Sequence, residues 1–154
     1  MHRLRCLCRF DVKQASFFVK LVFKGRPALG AAGVQIGTPY LFTPEALVSE
    51  LHLSSLKMAK DNSTAITNIF SGRPARSIMN RIMRDIGPMS DWPTSFPNAG
   101  SALAPLKRAA ETEGRSDFSS LWSGQSVGLS QEMGAADLTR KLANDALGRF
   151  SFKD

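Results

Sequence analysis

The sequence predicts an α/β protein that is rich in helices, and three observations lead to this prediction. An apolar run at residues 28–38 has a β-branched centre and is bounded by glycines, which is typical of a buried parallel strand. Four later segments repeat apolar residues at helical spacing. Of the 154 residues, 43% are hydrophobic and 21% are charged, as expected for a folded domain with its own core.

The amino-terminal end holds most of the net charge of +7. Residues 1–26 carry seven basic side chains and one acidic side chain, whereas the rest of the chain has 13 basic and 12 acidic side chains. Because the basicity is local rather than a property of the whole surface, we predict no nucleic-acid partner. The segment is cationic like a transit peptide, but it lacks an amphipathic helical period, and residues 17–23 have the pattern of a strand.

Cysteine usage and hydropathy indicate the compartment of the chain and whether it contacts a membrane. Cys6 and Cys8 are separated by a single residue, a spacing that makes neither a zinc site nor a disulfide framework. We therefore expect a reducing compartment, the cytoplasm. No apolar run reaches transmembrane length, so we predict no membrane partner.

The strand predicted at residues 31–38 and a helix predicted at residues 45–60 form one β–α unit. Thr43 can cap this helix, because Pro44 then takes the first helical position and Glu45 complements the dipole. His52 lies on the helix with no partner that the sequence identifies. We expect it to be a partly exposed structural residue rather than a catalytic or metal-binding one.

In the middle of the chain, apolar and polar residues first alternate and then recur at helical spacing. Residues 63–70 predict a short extended segment, and residues 71–76 predict a turn that opens a second helix. This helix has three isoleucines on one face, Ile78, Ile82 and Ile86, and it ends at Gly87-Pro88.

The last third of the sequence predicts two more helices. A proline-punctuated loop at residues 88–100 precedes a helix at residues 102–113, which stops at Gly114. A polar-aromatic turn at residues 117–126 then leads to an amphipathic helix at Ala135–Leu147.

The strand exit at Gly37-Thr38 is the first of three candidate sites. Glycine lets the backbone approach a ligand closely, and backbone N–H groups there can converge on a phosphate, with the Thr38 hydroxyl beside them. The turns at residues 71–76 and 122–125 are the other two candidates. The sequence has no metal-ligand spacing, no nucleophile elbow, and no Walker or dinucleotide fingerprint. The residues alone therefore predict an anion or phosphate site, and most buried strands that end in glycine bind nothing.

Three motifs resemble the C-terminal part of the nitronate monooxygenase family, also called 2-nitropropane dioxygenases. They are Gly-Ala-Ala-Gly-Val-Gln-Ile-Gly-Thr at 30–38, Phe-Ser-Gly-Arg-Pro-Ala-Arg at 70–76, and Leu-Trp-Ser-Gly-Gln-Ser at 121–126. Shorter matches at 80–84, 87–88 and 104–107 follow the same order and spacing. The resemblance predicts a division into an unmatched basic segment, 1–27, and the C-terminal part of an FMN-dependent barrel domain, 28–154.

The resemblance implies an FMN-dependent enzyme on a TIM (β/α)8 barrel that oxidises alkyl nitronates with O2. This chain would then be a C-terminal barrel fragment plus a helical extension. In the family, the end of the last barrel strand helps to bind the FMN phosphate, in keeping with the general use of the last barrel strands. Carried over by position, the cofactor-binding candidates are Gln35, Gly37 and Thr38, with Gln125 from the third motif. The turn at residues 72–76 is expected to be structural.

The chain departs from the family pattern in two ways. A complete barrel needs about 250 residues, and the Gly-Gly-His context of the family's histidine base is absent. His2 and His52 do not match it, so we assign no catalytic residue to this chain. Three hypotheses stay open: a nitronate monooxygenase-like protein that is truncated and inactive alone, a fragment or split-barrel partner of a complementing chain, and a small helical interaction module. A flavin-dependent enoyl-thioester reductase is an alternative on the same scaffold.

Overall fold

The computed structural model describes residues 35–60 and 62–147. In these ranges the chain forms four α-helices and one two-stranded sheet, in the order α1 (Glu50–Met58), β1 (Thr64–Thr67), β2 (Ala75–Ile78), α2 (Arg81–Asp85), α3 (Ala99–Thr112) and α4 (Ala135–Leu147). Three short 3₁₀ helices accompany them, at Thr38–Phe42, Pro44–Ala46 and Val127–Leu129. The described chain is therefore α/β and rich in helices, as predicted.

The predicted strand at 31–38 does not extend into the described residues. Residues 35–37 have no regular structure, and a 3₁₀ helix begins at Thr38 with Pro39 in its first turn. The earlier part of that prediction, and the strand pattern at 17–23, lie outside the described residues. A parallel strand needs neighbouring strands to pair its N–H and C=O groups. The sheet of the described ranges lies elsewhere in the chain, so residues 35–38 have no such neighbour there.

The first helix begins later than predicted. Thr43 precedes only the 3₁₀ helix Pro44–Ala46, and its hydroxyl donates to the Tyr40 carbonyl rather than capping a helix. Leu47 then adopts a left-handed conformation with φ 47°, which interrupts helical geometry. Helix α1 starts after Ser49, whose side chain accepts the His52 N–H and satisfies one free donor of the first turn.

The extended segment predicted at 63–70 is confirmed for its first half, as β1 (Thr64–Thr67), but the helix predicted after the turn is wrong at its start. The turn opens strand β2, which pairs antiparallel with β1 in the register Thr64↔Ile78 to Thr67↔Ala75. Ile78 is therefore a strand residue, because pairing with β1 overrides the local helical period. Helix α2 covers only the end of the predicted range, and Ile86 follows it and is exposed.

Residues 121–123 pair with the other edge of β2. The Ile78 N–H donates to the Leu121 carbonyl at 2.9 Å, and the Ser123 N–H donates to the Arg76 carbonyl at 3.2 Å. Trp122 forms an antiparallel bridge with Ser77, whose hydroxyl also donates to the Leu121 carbonyl. Hydrogen bonds to strand β2 thus hold the polar-aromatic turn against the hairpin.

The last two helices follow the sequence closely. Helix α3 begins three residues before its predicted start and ends before Gly114, whose φ of 71° suits a glycine after a helix. Helix α4 has the predicted bounds, and its Leu138 is buried. None of the helices in the described ranges combines the length and the apolar character that crossing a membrane requires.

The described core consists of two clusters that meet at residues 121–127. The first joins the 3₁₀ region, α1, β2 and this segment through Phe42, Leu56, Ala59, Ile78, Leu121 and Val127. The second contains Ile69, Phe70, Ile82 and Met83, and Trp122 packs against it. The rings of Phe70 and Trp122 meet edge to face with centroids 5.7 Å apart. Segment 121–127 is therefore held by both clusters.

Candidate functional site

Two of the three candidate sites meet in the structure. The Gly124 N–H donates to Thr38 Oγ1 at 2.7 Å, which joins the segment around Thr38 to the turn at 122–125 across 86 residues of sequence. The third candidate, at 71–76, lies at the hairpin turn instead. There Gly72 has φ 79°, and a side chain at that position would come within 2.5 Å of the Phe96 backbone nitrogen. That turn is shaped by backbone packing.

The close approach at Thr38 depends on a glycine. A Cβ added to Gly124 would lie 3.0 Å from Thr38 Oγ1, so a side chain there would force the Thr38 side chain to move by a few tenths of an ångström. At Gly37, by contrast, an added Cβ would meet no described atom within 4 Å. The backbone at Gly37 is thus open, whereas the backbone at Gly124 is already in contact.

A cavity of about 110 Å³ lies between the two segments. Gln35, Gly37 and Thr38, three of the four predicted cofactor-binding residues, line it. Across from them it is lined by Gly124, Ser126, Leu129 and Ser130, and Ile36 and Pro39 complete the lining. The fourth predicted residue, Gln125, is half-buried and is not among the lining residues. The space exceeds the roughly 15 Å³ that one water needs on the same measure.

The structure adds two serines that the sequence did not single out. Ser126 Oγ and Ser130 Oγ are buried, and neither has a hydrogen-bond partner within the described part of the chain. A buried hydroxyl without a partner costs about 1–3 kcal/mol, so each of these two atoms calls for an explanation such as an ordered water. Serine is too common for its spacing to reveal this role, although Ser126 closes the third motif.

His52 forms a hydrogen bond with the backbone of the 122–125 turn. Its Nε2 lies 3.1 Å from the Trp122 carbonyl oxygen. Because a carbonyl can only accept, Nε2 carries the hydrogen of this bond. Burial lowers the pKa of His52 below its ordinary value of 6.5, and the hydrogen bond to Trp122 opposes that shift. The residue is half-buried on a helix, as predicted, but its partner lies 70 residues away in sequence.

Among the described residues, the exposed lining of the cavity is mostly apolar and carries no charged side chain. No basic residue lines the cavity among the described residues, whereas Thr38 and the glycines Gly37 and Gly124 do. Neutral donors of this kind bind phosphate oxygens in many proteins. No group of three or more His, Cys, Asp and Glu side chains that could hold a metal occurs at 35–60 or 62–147.

The family model for nitronate monooxygenase matches residues 24–145. The chain belongs to the nitronate monooxygenase family. It is 34% identical over 124 residues to the probable nitronate monooxygenase of Staphylococcus saprophyticus, covering 79% of this chain and 35% of that protein. It is also 34% identical over 125 residues to the nitronate monooxygenase of Pseudomonas aeruginosa, covering 78% of this chain and 34% of that protein. The chain thus spans about a third of the length of these relatives.

Solved structures show the same partial coverage. The nitroalkane oxidase of Streptomyces ansochromogenes superposes with a TM-score of 0.71 at 29% identity, over 90% of this chain and 38% of that one. FabK of Thermotoga maritima superposes with a TM-score of 0.56 at 24% identity, over 91% of this chain and 42% of that one. The second likeness shows a shared fold alone. The family resemblance predicted from the three motifs is confirmed.

Proposed function

We propose that this chain forms the phosphate-binding side of an FMN site in a nitronate monooxygenase. The family consists of flavin-dependent oxidoreductases, and the finer assignment rests on one observation, the junction of Thr38 with Gly124 beside a cavity that both segments line. FMN, when bound, would supply the electron transfer between an alkyl nitronate and O2. The setting would be a cytoplasmic TIM barrel of which this chain contributes the C-terminal part.

Thr38 can serve the two segments and the phosphate together. Its oxygen accepts the Gly124 N–H, so its own hydrogen remains for a phosphate oxygen. The open backbone at Gly37 lets the ligand approach without meeting a side chain. Ser126 and Ser130 lie in the opposite wall with their hydroxyl oxygens buried, so they would shape the cavity rather than donate to the phosphate. Gln35, which is exposed at the rim, and Gln125 would offer amide groups to the rest of the flavin.

The base that takes the substrate proton comes from elsewhere in the proposed barrel. His52 is the one histidine of the described residues, and its Nε2 is committed to the Trp122 carbonyl. General base catalysis needs a side chain within hydrogen-bond reach of the substrate proton. We therefore expect no nitronate-dependent oxygen consumption by this chain alone with excess FMN, as measured with an oxygen electrode. Turnover by the purified chain would contradict the need for a complementing segment.

Comparison of FMN with riboflavin, which lacks the phosphate, tests the proposal. Flavin fluorescence should show that the chain binds FMN more tightly than riboflavin. Thr38→Ala should weaken FMN binding about tenfold or more, since a hydrogen bond to a charged group contributes about 1.5–3 kcal/mol. Riboflavin binding should change little.

Thr94→Ala is the matched control, because Thr94 is exposed in the loop before α3. It should leave both affinities as in the wild type. Equal affinity of the wild-type chain for FMN and riboflavin would contradict a phosphate site at this cavity.

A further inference from the structure

The turn that carries Gly124 uses its backbone groups on two opposite sides. Toward β2, the Leu121 carbonyl accepts from Ile78 and the Ser123 N–H donates to Arg76. In a trans peptide unit the C=O and the N–H point in opposite directions. The Trp122 carbonyl shares a peptide unit with the Ser123 N–H and therefore bonds away from β2, and so does the Gly124 N–H. Their partners are His52 Nε2 and Thr38 Oγ1.

Helix α1 holds His52 firmly enough to act as a support. Leu56, one turn further along the helix, is almost completely buried in the first core cluster. The His52 backbone N–H is fixed by the Ser49 cap. The ring is half-buried, and its Nε2 reaches the Trp122 carbonyl at 3.1 Å. The imidazole therefore links a core-anchored helix to the backbone two residues before Gly124.

We infer that His52 is a positioning residue for the flavin-phosphate site. Its Nε2–H fixes the orientation of the Trp122 carbonyl, so that the Gly124 N–H two residues later faces Thr38 Oγ1. The ordering of the turn by His52 is inferred from the hydrogen bonds of Trp122 and Gly124 alone. The consequence for flavin binding rests on the proposed function. The side chain of Trp122 is held separately by Phe70, so loss of His52 would release the backbone of the turn rather than the whole segment.

Amide hydrogen exchange on the full chain, followed by NMR, tests this role directly. His52→Phe keeps a ring but removes the donor, and we expect exchange at the Gly124 amide to rise about fivefold, as for the loss of one hydrogen bond. The Ile78 amide, which bonds to Leu121, should not change. His52→Gln places an amide nitrogen near the position of Nε2 and should restore slow exchange at Gly124. Met58→Phe, at an exposed position of α1, is the matched control and should resemble the wild type.

Three results would overturn the inference. The first is unchanged exchange at Gly124 in His52→Phe. The second is equal acceleration at Gly124 and Ile78, which indicates general loosening. The third is a Gln variant as disturbed as the Phe variant, which indicates that the ring rather than its donor matters. The wild-type imidazole ¹⁵N spectrum gives a test that does not depend on folding of any variant: it should show the Nε2–H tautomer, and the Nδ1–H tautomer would contradict the inference.

FMN titration separates this inference from the proposed function. If the wild type binds FMN, His52→Phe should weaken binding about threefold to tenfold, and His52→Gln should not. Unchanged FMN affinity in a variant with accelerated Gly124 exchange would overturn the consequence for the site. If the wild-type chain does not bind FMN, the proposed function fails, and the exchange results still decide whether His52 orders the turn.

Discussion

The two sides of the candidate site are held in different ways. The turn at 121–124 has hydrogen bonds to β2 on one side and to His52 and Thr38 on the other, and its side chains enter both core clusters. The segment at 35–38, among the described residues, has its own short 3₁₀ bonds and the single bond from Gly124. The 121–124 side of the cavity is therefore held by the rest of the fold. The 35–38 side is held, among the described residues, mainly by its bond from Gly124.

The largest expected effect comes from removing the core anchor of the turn. Leu121 is 2% exposed in the first cluster, so Leu121→Ala should lower the free energy of unfolding by about 2–5 kcal/mol in urea titrations. Leu47→Ala is the matched control, because Leu47 is 95% exposed, and it should change stability by less than about 0.5 kcal/mol. Similar values for the two variants would show that the turn is not anchored through its core.

Gly124→Ala should weaken the contact between Gly124 and Thr38 while leaving the β1–β2 hairpin and its bonds to residues 121–123 intact. The added methyl would lie 3.0 Å from Thr38 Oγ1. We expect FMN affinity to fall about tenfold, as for the loss of one good hydrogen bond, with little change in the urea midpoint. At Gly134 an added Cβ would lie 3.7 Å from the carboxylates of Asp137 and Glu45, an ordinary contact distance, so Gly134→Ala should be tolerated in both measurements. A large drop in the stability of Gly124→Ala, without a change in FMN affinity, would show that Gly124 serves folding rather than FMN binding.

Ser126→Ala should raise stability and leave FMN binding nearly unchanged. Removing a buried hydroxyl that lacks a partner should raise the free energy of unfolding of the free chain by about 1 kcal/mol. The same change should have little effect on FMN binding, because Ser126 Oγ is not accessible from the cavity. Ser54→Ala, at an exposed position of α1, should alter neither quantity. Loss of stability in the free Ser126 variant would mean that this hydroxyl is already satisfied without a ligand.

The smallest effect concerns pH. Burial depresses the pKa of His52 in the folded chain, so the unfolded chain takes up the proton more readily. The stability due to this group is therefore complete above pH 6.5 and is lost as the pH falls through the lower folded pKa. Urea midpoints between pH 7.5 and 5 should fall slightly more for the wild type than for His52→Gln. A steeper fall in the variant would contradict the depressed pKa.

Local signals in the sequence predicted well where local physics decides the structure. Helix α4 has its predicted bounds, and Gly114 ends α3 with a positive φ. Thr43 failed as a cap because Ser49 is better placed once Leu47 turns left-handed. Ile78 failed as a helix residue because β1 supplies a strand partner that no local pattern reveals.

The candidate site was predicted in separate pieces. Glycine and threonine at the strand exit, and glycine in the third motif, drew attention to Thr38 and to the 122–125 turn. Their contact spans 86 residues, so only the fold could join them. The unpartnered hydroxyls of Ser126 and Ser130, and the bond from His52 to Trp122, are likewise tertiary features. They depend on burial and on partners far apart in sequence.

In the proposed function, the cavity between Thr38 and Gly124 receives the phosphate of FMN. The most direct test is a ¹H–¹⁵N titration of the full chain with FMN, with inorganic phosphate added as a competitor. We predict that the shifted amides are those of Gly37, Thr38, Gly124 and Ser126, that the Arg73 amide at the hairpin turn stays in place, and that phosphate reverses part of the shifts. Shifts centred on residues 71–76, or spread evenly over the basic side chains with no change at Thr38 and Gly124, would contradict the claim.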